Sequence, residues 1–305
     1  CRINKLVLSF FVVFILWHFY YLLYLLYPLT DFQSSTLCYT LSMKLICPIC
    51  KSRFTHIVHE LVCENNHHFD FAKQGYINLY RSNKPFHGDN IEMVKARTAF
   101  LEKGVYAFLK EYLINLNTKL HPEVFVDLGC GEGYYTEGFI AQEKYGFDLS
   151  KDALKHASKN DKSTQYVVSS IFHLPIEDES CDVAVTCFAP ATTEELQRIL
   201  KPGGKFIFVT PGPKHLFEMK AVLYDTPYEN IMEDIDTSLT LIQDEMIENT
   251  APLDQETLYQ LFQMTPYAYK TSIEDKQRLL NIPMLDLTCQ FLIRVYEKTS
   301  MQHET

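Results

Sequence analysis

The sequence predicts an α/β fold: a mostly parallel, doubly wound sheet with a small metal-stapled module in front of it. Three observations carry this: an apolar run ending in alternating glycines over 124–133, alternating strand-like and helical stretches after it, and paired cysteines between 47 and 63. Of the 305 residues 47% are apolar and 22% charged, which suits one large domain or two smaller ones and excludes intrinsic disorder. The formal net charge of -10 excludes a uniformly basic nucleic-acid binder. That average hides an asymmetry, because residues 1–42 balance to +1, residues 43–104 to +3 and the remainder to -14. An anionic partner is admitted at one end only.

Nine cysteines, an odd number in a chain long enough to bury a core, do not form the framework of a secreted disulfide scaffold. Three of them cluster between 47 and 63, which favours metal ligation in a reducing compartment. Ahead of them, residues 6–27 are almost wholly apolar, follow Arg2 and Lys5, and are long enough to cross a bilayer as a helix. The chain opens with Cys1, however, and Met43 stands four residues before the cysteine motif. The expectation is that residues 1–42 are an over-translated extension upstream of the natural start, with a membrane partner only if they are genuine. Trp17 is the only tryptophan, so indole fluorescence from the natural protein tests this expectation.

Cys47 and Cys50 enclose two residues, twelve follow to Cys63, and three more lead to His67. Two tight turns can thus present three thiolates and an imidazole to one cation, and this soft donor set in fourfold array selects zinc. Four protein ligands leave no position for water, so the site is expected to be structural. A short segment with few apolar residues needs such a staple in place of a core. His68 is the competing imidazole, while His56 and His59 are expected in solvent. Lys51, Arg53, Lys73, Arg81 and Lys84 alternate with Phe54, Phe69, Phe71, Tyr76 and Tyr80, a composition that suits RNA and equally suits core aromatics under a solvated face.

Residues 124–128 form an apolar strand, and Gly129, Gly131 and Gly133 follow it directly after Asp127 and Leu128, with a helix expected next. Glycines let the backbone reverse sharply and approach a ligand without a Cβ in the way. The spacing GxGxG differs from the dinucleotide GxGxxG and fits a methionine-bearing nucleoside. Asp148 lies 21 residues past Asp127 at the end of a second apolar run, where a carboxylate can accept both ribose hydroxyls; capping the next helix is its competing role, which Ser150 could also fill. A third strand over 166–170, a fourth led by Asp182, and a proline-glycine turn feeding a fifth within 200–213 complete the parallel sheet, with a late antiparallel strand near 290–298.

Together the glycine turn, Asp148 and the LKPGG turn resemble a Rossmann-like class I S-adenosylmethionine-dependent methyltransferase. With CPIC, CENNHHFDFAKQGYINL, GDNIEMVKARTAFLEKGVY, VDLGCGEGYYT, FAP at 188–190, TPGPKHL and QMTPYAY in order, residues 43 to about 298 resemble the 23S rRNA (guanine-N1)-methyltransferase family of the RlmA type. The resemblance implies zinc on Cys47, Cys50, Cys63 and His67. It implies S-adenosyl-L-methionine contacts from Tyr106, from the turn of Asp127, Gly129, Gly131, Glu132, Gly133 and Tyr134, from Asp148 and from His215; core packing for Tyr106 and a helix-terminal place for His215 are the plainer alternatives. It also implies a cytoplasmic homodimer whose zinc modules frame a cleft for an rRNA hairpin. The expected layout is a zinc-binding RNA-recognition module at 43–85, a helical linker at 86–120 and the methyltransferase domain at 121–305. A small-molecule methyltransferase with a purely structural zinc site is the alternative.

No general base stands out. The FAPAT segment at 188–192 lies where the target group is expected and has no carboxylate, and Asp182 sits at the wrong end of its strand. Cys187 lacks the preceding proline of a thiolate nucleophile and reads as a small strand residue. Direct attack by a ring nitrogen of an unstacked base is therefore favoured.

Overall fold

The computed structural model describes residues 43–57, 59–81, 89–232, 234–235 and 238–299. The expectations for residues 1–42 and for Lys84 lie outside them. The chain opens with β1 (Phe54–Ile57), β2 (Glu60–Cys63) and β3 (His68–Asp70), a three-stranded antiparallel sheet, and then β4 (Ile77–Asn78). Helices α1 (Ile91–Glu102) and α2 (Ala107–Leu120) follow. Asn90 starts α1 by accepting hydrogen bonds from the Glu92 and Met93 N–H groups, which satisfies donors that the first turn leaves free.

The main sheet begins at β5 (Val124–Leu128) and continues through β6 (Glu143–Asp148), α3 (Lys151–Asn160), β7 (Thr164–Val168), β8 (Cys181–Cys187), α4 (Thr193–Ile199) and β9 (Leu200–Pro211). After α5 (Phe217–Leu223) come β10 (Thr240–Asp254), α6 (Gln255–Met264), α7 (Tyr267–Lys270), α8 (Ile273–Leu280) and β11 (Met284–Glu297). Eight strands lie in the order β10-β11-β9-β8-β5-β6-β7-β4. From β9 to β4 the pairs are parallel, while β11 runs antiparallel to both β9 and β10. The chain winds outward from β5 in both directions, so β5 and β8 flank the switch point where such sheets open a crevice.

Four expectations are adjusted by the packing. The third strand runs two residues earlier than expected, leaving Ser169 and Ser170 beyond its end. No full helix follows the glycine turn, only a single 3₁₀ turn at Thr136–Gly138. A Cβ on Gly138 would meet the Ile114 Cδ1 at 2.5 Å, so α2 closely covers the place where a longer helix would run. The long edge strand β10 was not expected, since its residues are mostly exposed and show no clean apolar alternation.

The fourth adjustment concerns the zinc module. Far from lacking a core, it buries Leu45, Leu61, Phe69, Ile77 and Leu79 in one cluster with Tyr145, Phe147, Val167 and Ile176 of the main fold. Strand β4 extends the main sheet by pairing with β7, and the Ile46 N–H donates to the Pro175 carbonyl at 2.9 Å. The Glu177 N–H donates to the Lys44 carbonyl at 2.8 Å, and the Lys44 N–H to the Tyr145 hydroxyl at 3.0 Å. Phe54 and Phe71 pack on that cluster, and Tyr76 and Tyr80 pack beside buried Tyr166 and Val168. These aromatics are core-packing residues, so the structural alternative accounts for them.

Candidate cofactor cavity and metal cluster

A cavity of about 430 Å³ opens at the carboxyl ends of β5, β6 and β8, the place that the strand order marks out. Its floor is the glycine turn. Gly129 has φ of +75° and a Cβ there would stand 2.5 Å from the Ala189 Cβ, so a side chain is excluded on both grounds. Gly131, with φ of +54°, has open space where its Cβ would be, which leaves the backbone accessible to a ligand. Gly133 closes the turn beside Tyr166.

Carboxylates surround this floor. Asp148 Oδ2 accepts from the Gly131 N–H at 2.9 Å and Oδ1 from the Ser150 N–H at 2.7 Å, so it braces the turn while lining the cavity. Burial pushes its pKa up. The helix cap is Ser150, whose hydroxyl accepts from the Ala153 N–H at 3.2 Å. Asp127 is 2% exposed and accepts the Thr136 hydroxyl proton at 2.6 Å. Burial raises it to about 7, with the Thr136 bond opposing and the nearby Asp148 adding. Glu132, buried, receives Arg97 Nε at 2.7 Å, and Arg97 also pairs with Asp89.

Arg97 was not singled out from the sequence. It lies on α1 within the expected linker, 35 residues from Glu132, and no spacing rule connects the two. The expected linker in fact lends the cavity Arg97, Leu101 and Tyr106. Tyr106 is buried edge-on against Phe100 and Phe291, with ring centroids 5.0 and 4.9 Å away. Its hydroxyl lies 3.3 Å from His215 Nε2. Among the described residues His215 does not line the cavity but stands behind Tyr106, where its Nδ1 accepts from the Gln290 N–H at 3.2 Å. Burial, with the Lys220 charge adding, drives its pKa down to about 3. A neutral ring accepting at Nδ1 carries its proton on Nε2 and can donate it to the Tyr106 oxygen.

Tyr134 lines the cavity with Lys110 Nζ 4.3 Å above its ring. The loops after β7 and β8 and the end of α6 contribute Ile171, Phe172, Phe188, Ala189, Pro190 and Met264, which carry no acid or base. Phe188 has φ of +64°, a strained value for an aromatic residue, and remains 44% exposed. Burial raises the Cys187 thiol well above its ordinary range, which opposes thiolate chemistry there. Asp182 lies at the far end of the sheet, accepting from the Val124 N–H at 2.8 Å and Lys201 at 2.7 Å.

The second site gathers Cys47, Cys50, Cys63 and His67, whose ligand atoms all lie within 4.8 Å of one another. The Cys50 and Cys63 sulfurs are 3.6 Å apart, and His67 Nδ1 is 3.6 Å from Cys47 Sγ and 3.3 Å from Cys63 Sγ. A tetrahedron with zinc–sulfur bonds of about 2.3 Å has edges of roughly 3.8 Å, so the donors fit that ion. Bonds from Asn65 and Ser52 bring the Cys50 thiol down to about 5, toward the thiolate that zinc requires. His68 turns elsewhere, with Nδ1 2.9 Å from Glu60 and Nε2 3.3 Å from Asn66. His59 is exposed.

An open glycine turn ringed by carboxylates fits a cationic nucleoside, and with the parallel sheet it defines an S-adenosylmethionine-dependent methyltransferase carrying a zinc ribbon. Residues 126–208 match the Methyltransferase domain family and residues 45–83 the family described as RlmA, N-terminal. The chain is 31% identical over 252 residues to the 23S rRNA (guanine(748)-N(1))-methyltransferase of Streptomyces fradiae, covering 78% of this chain and 90% of that one. It is 30% identical over 263 residues to the "Putative 23S rRNA (guanine-N(1)-)-methyltransferase YxjB" of Bacillus subtilis (strain 168), covering 79% and 93%. The chain belongs to the 23S rRNA (guanine-N1)-methyltransferase family. S-adenosyl-L-methionine is its cofactor and zinc its structural metal. No helix among the described residues is long and apolar enough to cross a membrane.

Proposed function

We propose that this protein transfers a methyl group from S-adenosylmethionine to N1 of one guanine in 23S rRNA, with the zinc ribbon helping to hold an rRNA hairpin. The observation that carries this reading is the joining of a zinc ribbon and a nucleoside cavity through one hydrophobic core. The small-molecule alternative is disfavoured by the RlmA-type ribbon at residues 45–83 and by relatives named as 23S rRNA (guanine-N1)-methyltransferases. In this reading Asp127, Gly129, Gly131, Glu132, Gly133, Tyr134 and Asp148 surround the cofactor, Tyr106 walls it, and His215 fixes the Tyr106 ring from behind. The zinc ligands are Cys47, Cys50, Cys63 and His67. Residues 43–85 act as the recognition module, 86–120 join it to the methyltransferase domain at 121–305 while walling its cavity with Arg97, Leu101 and Tyr106, and the protein works in the cytoplasm as a homodimer. Leu241, Ile242 and Met246, exposed on edge strand β10, suit such a dimer.

Bound S-adenosylmethionine supplies an electrophilic methyl group on a sulfonium. The residues of this chain supply orientation. The apolar loops exclude water, and the exposed Phe188 ring offers a face on which an unstacked guanine can lie. Alignment of nitrogen, methyl carbon and sulfur can contribute up to roughly 7–11 kcal/mol in ideal cases. The guanine N1 proton must leave as the nitrogen attacks, and the apolar loops lining the cavity carry no side-chain base to receive it. Labelled methyl transfer to 23S rRNA from cells lacking the enzyme tests the proposal: incorporation into large-subunit RNA supports it, and transfer to metabolites alone favours the small-molecule alternative.

A further inference from the structure

The cavity is electrostatically lopsided. Asp89, Asp127, Glu132 and Asp148 line it, and Arg97 is the only Lys or Arg among its described lining residues. S-adenosylmethionine carries a sulfonium, an ammonium and a carboxylate. Its two cations suit a predominantly acidic wall, whereas its single anion needs a donor there. In the glycine turn several backbone donors are already engaged: the Gly129 and Cys130 N–H groups both donate to the Phe147 carbonyl, at 2.8 and 3.1 Å. The Gly131 N–H donates to Asp148, and that of Gly133 to the Cys130 carbonyl at 3.0 Å.

Arg97 differs from these groups. Its Nε donates to Glu132 and its Nη2 to Asp89, while its Nη1 has no hydrogen-bond partner among the described residues. Burial works against the guanidinium charge, and the Glu132 and Asp89 carboxylates more than offset it, so the group stays cationic. Those two acids also hold the planar fork in place, which lowers the entropy lost when a further acceptor is bound.

On the reading of this cavity as the cofactor site, we infer that Arg97 receives the carboxylate at the amino-acid end of S-adenosylmethionine. The same pairing ties α1 to the glycine turn through Glu132, so one side chain both orders that helix and reads the ligand. Charge-assisted hydrogen bonds of this kind are the strong ones, and losing one in a buried setting costs about 10- to 100-fold in affinity.

The test measures calorimetric binding of S-adenosylhomocysteine and of its carboxamide analogue, which lacks only the negative charge, to the wild-type protein and to Arg97→Ala. The wild type is expected to bind the carboxylate form about 10- to 100-fold more tightly, and the variant to bind the two forms within about threefold of each other. A variant that weakens both ligands equally and keeps the wild-type ratio would show Arg97 to be purely structural and overturn the inference. Because the wild-type comparison needs no variant, equal binding of the two ligands there overturns it even if Arg97→Ala does not fold. Failure of the wild type to bind S-adenosylhomocysteine at all would instead overturn the cofactor reading of the cavity.

Discussion

The metal cluster and the cofactor cavity are assembled in opposite ways. The four members of the metal cluster come from one stretch of 21 residues, and local turns bring their donor atoms together. The cavity draws on α1, the start of α2, the glycine turn, the ends of β6 and β8, and Met264 at the end of α6. A site closed by local turns is written as spacing. A site closed by tertiary packing is written only in part, since each contributor has a plain structural reason to be where it is. The two sites nevertheless meet in one protein interior, because the ribbon's apolar residues and the main sheet share a core.

The largest expected effect probes that sharing. Cys63→Ser should lose zinc and lower unfolding stability by several kcal/mol, since Cys63 is also buried in the common core. Below its melting temperature the variant should still bind S-adenosylhomocysteine within about threefold of wild type while losing RNA affinity, as measured by metal analysis, calorimetry and filter binding. Unchanged metal content would show that Cys63 does not hold the metal. Gly129→Ala, next in size, attacks the cavity alone: the positive φ and the Ala189 contact should cost roughly 1–3 kcal/mol in stability and about tenfold or more in cofactor affinity, with zinc content unchanged.

A pH series separates the sites further. Asp127 is raised by burial to about 7 from an ordinary 3.8, so the folded protein keeps a proton that the unfolded chain releases. That contribution to stability is complete below about pH 4 and is lost as pH rises through 7. The neighbours that set it are Asp148, which raises the value, and Thr136 and Lys144, which lower it. Asp127→Asn keeps an acceptor for Thr136 and cannot ionise. It should therefore be more stable than wild type at pH 8.5, by roughly 1–3 kcal/mol, and nearly equal to it at pH 4 in denaturant melts. The smallest effect is expected from Tyr106→Phe, which leaves the buried His215 N–H without its partner. A loss of about 1 kcal/mol in stability and a few-fold weaker cofactor binding should follow.

How much could be read beforehand follows the same division. Cysteine spacing picked out all four members of the metal cluster and preferred His67 to His68, and the glycine turn with Asp148 located the cavity floor. The antiparallel C-terminal strand was visible as a β-prone apolar run. Arg97 was invisible because Glu132 lies 35 residues away in sequence, Asp89 stands outside the Arg97 helix, and a basic residue on a helix usually faces solvent. Strand β10 escaped because an exposed edge strand needs no apolar alternation. The place of the ribbon in the main sheet rests on β4, which has two residues and is too short to leave a periodic signal.

Reverse transcription of treated 23S rRNA shows whether ribbon and cavity together serve guanine N1, because a methyl on N1 blocks base pairing. Zinc-loaded protein with S-adenosylmethionine should produce one new stop next to a single guanine, absent without cofactor and strongly reduced with Cys63→Ser. Methylated RNA that is read through without any stop would place the methyl elsewhere than N1, and stops that the zinc-free variant makes equally well would show that the ribbon plays no part in recognition.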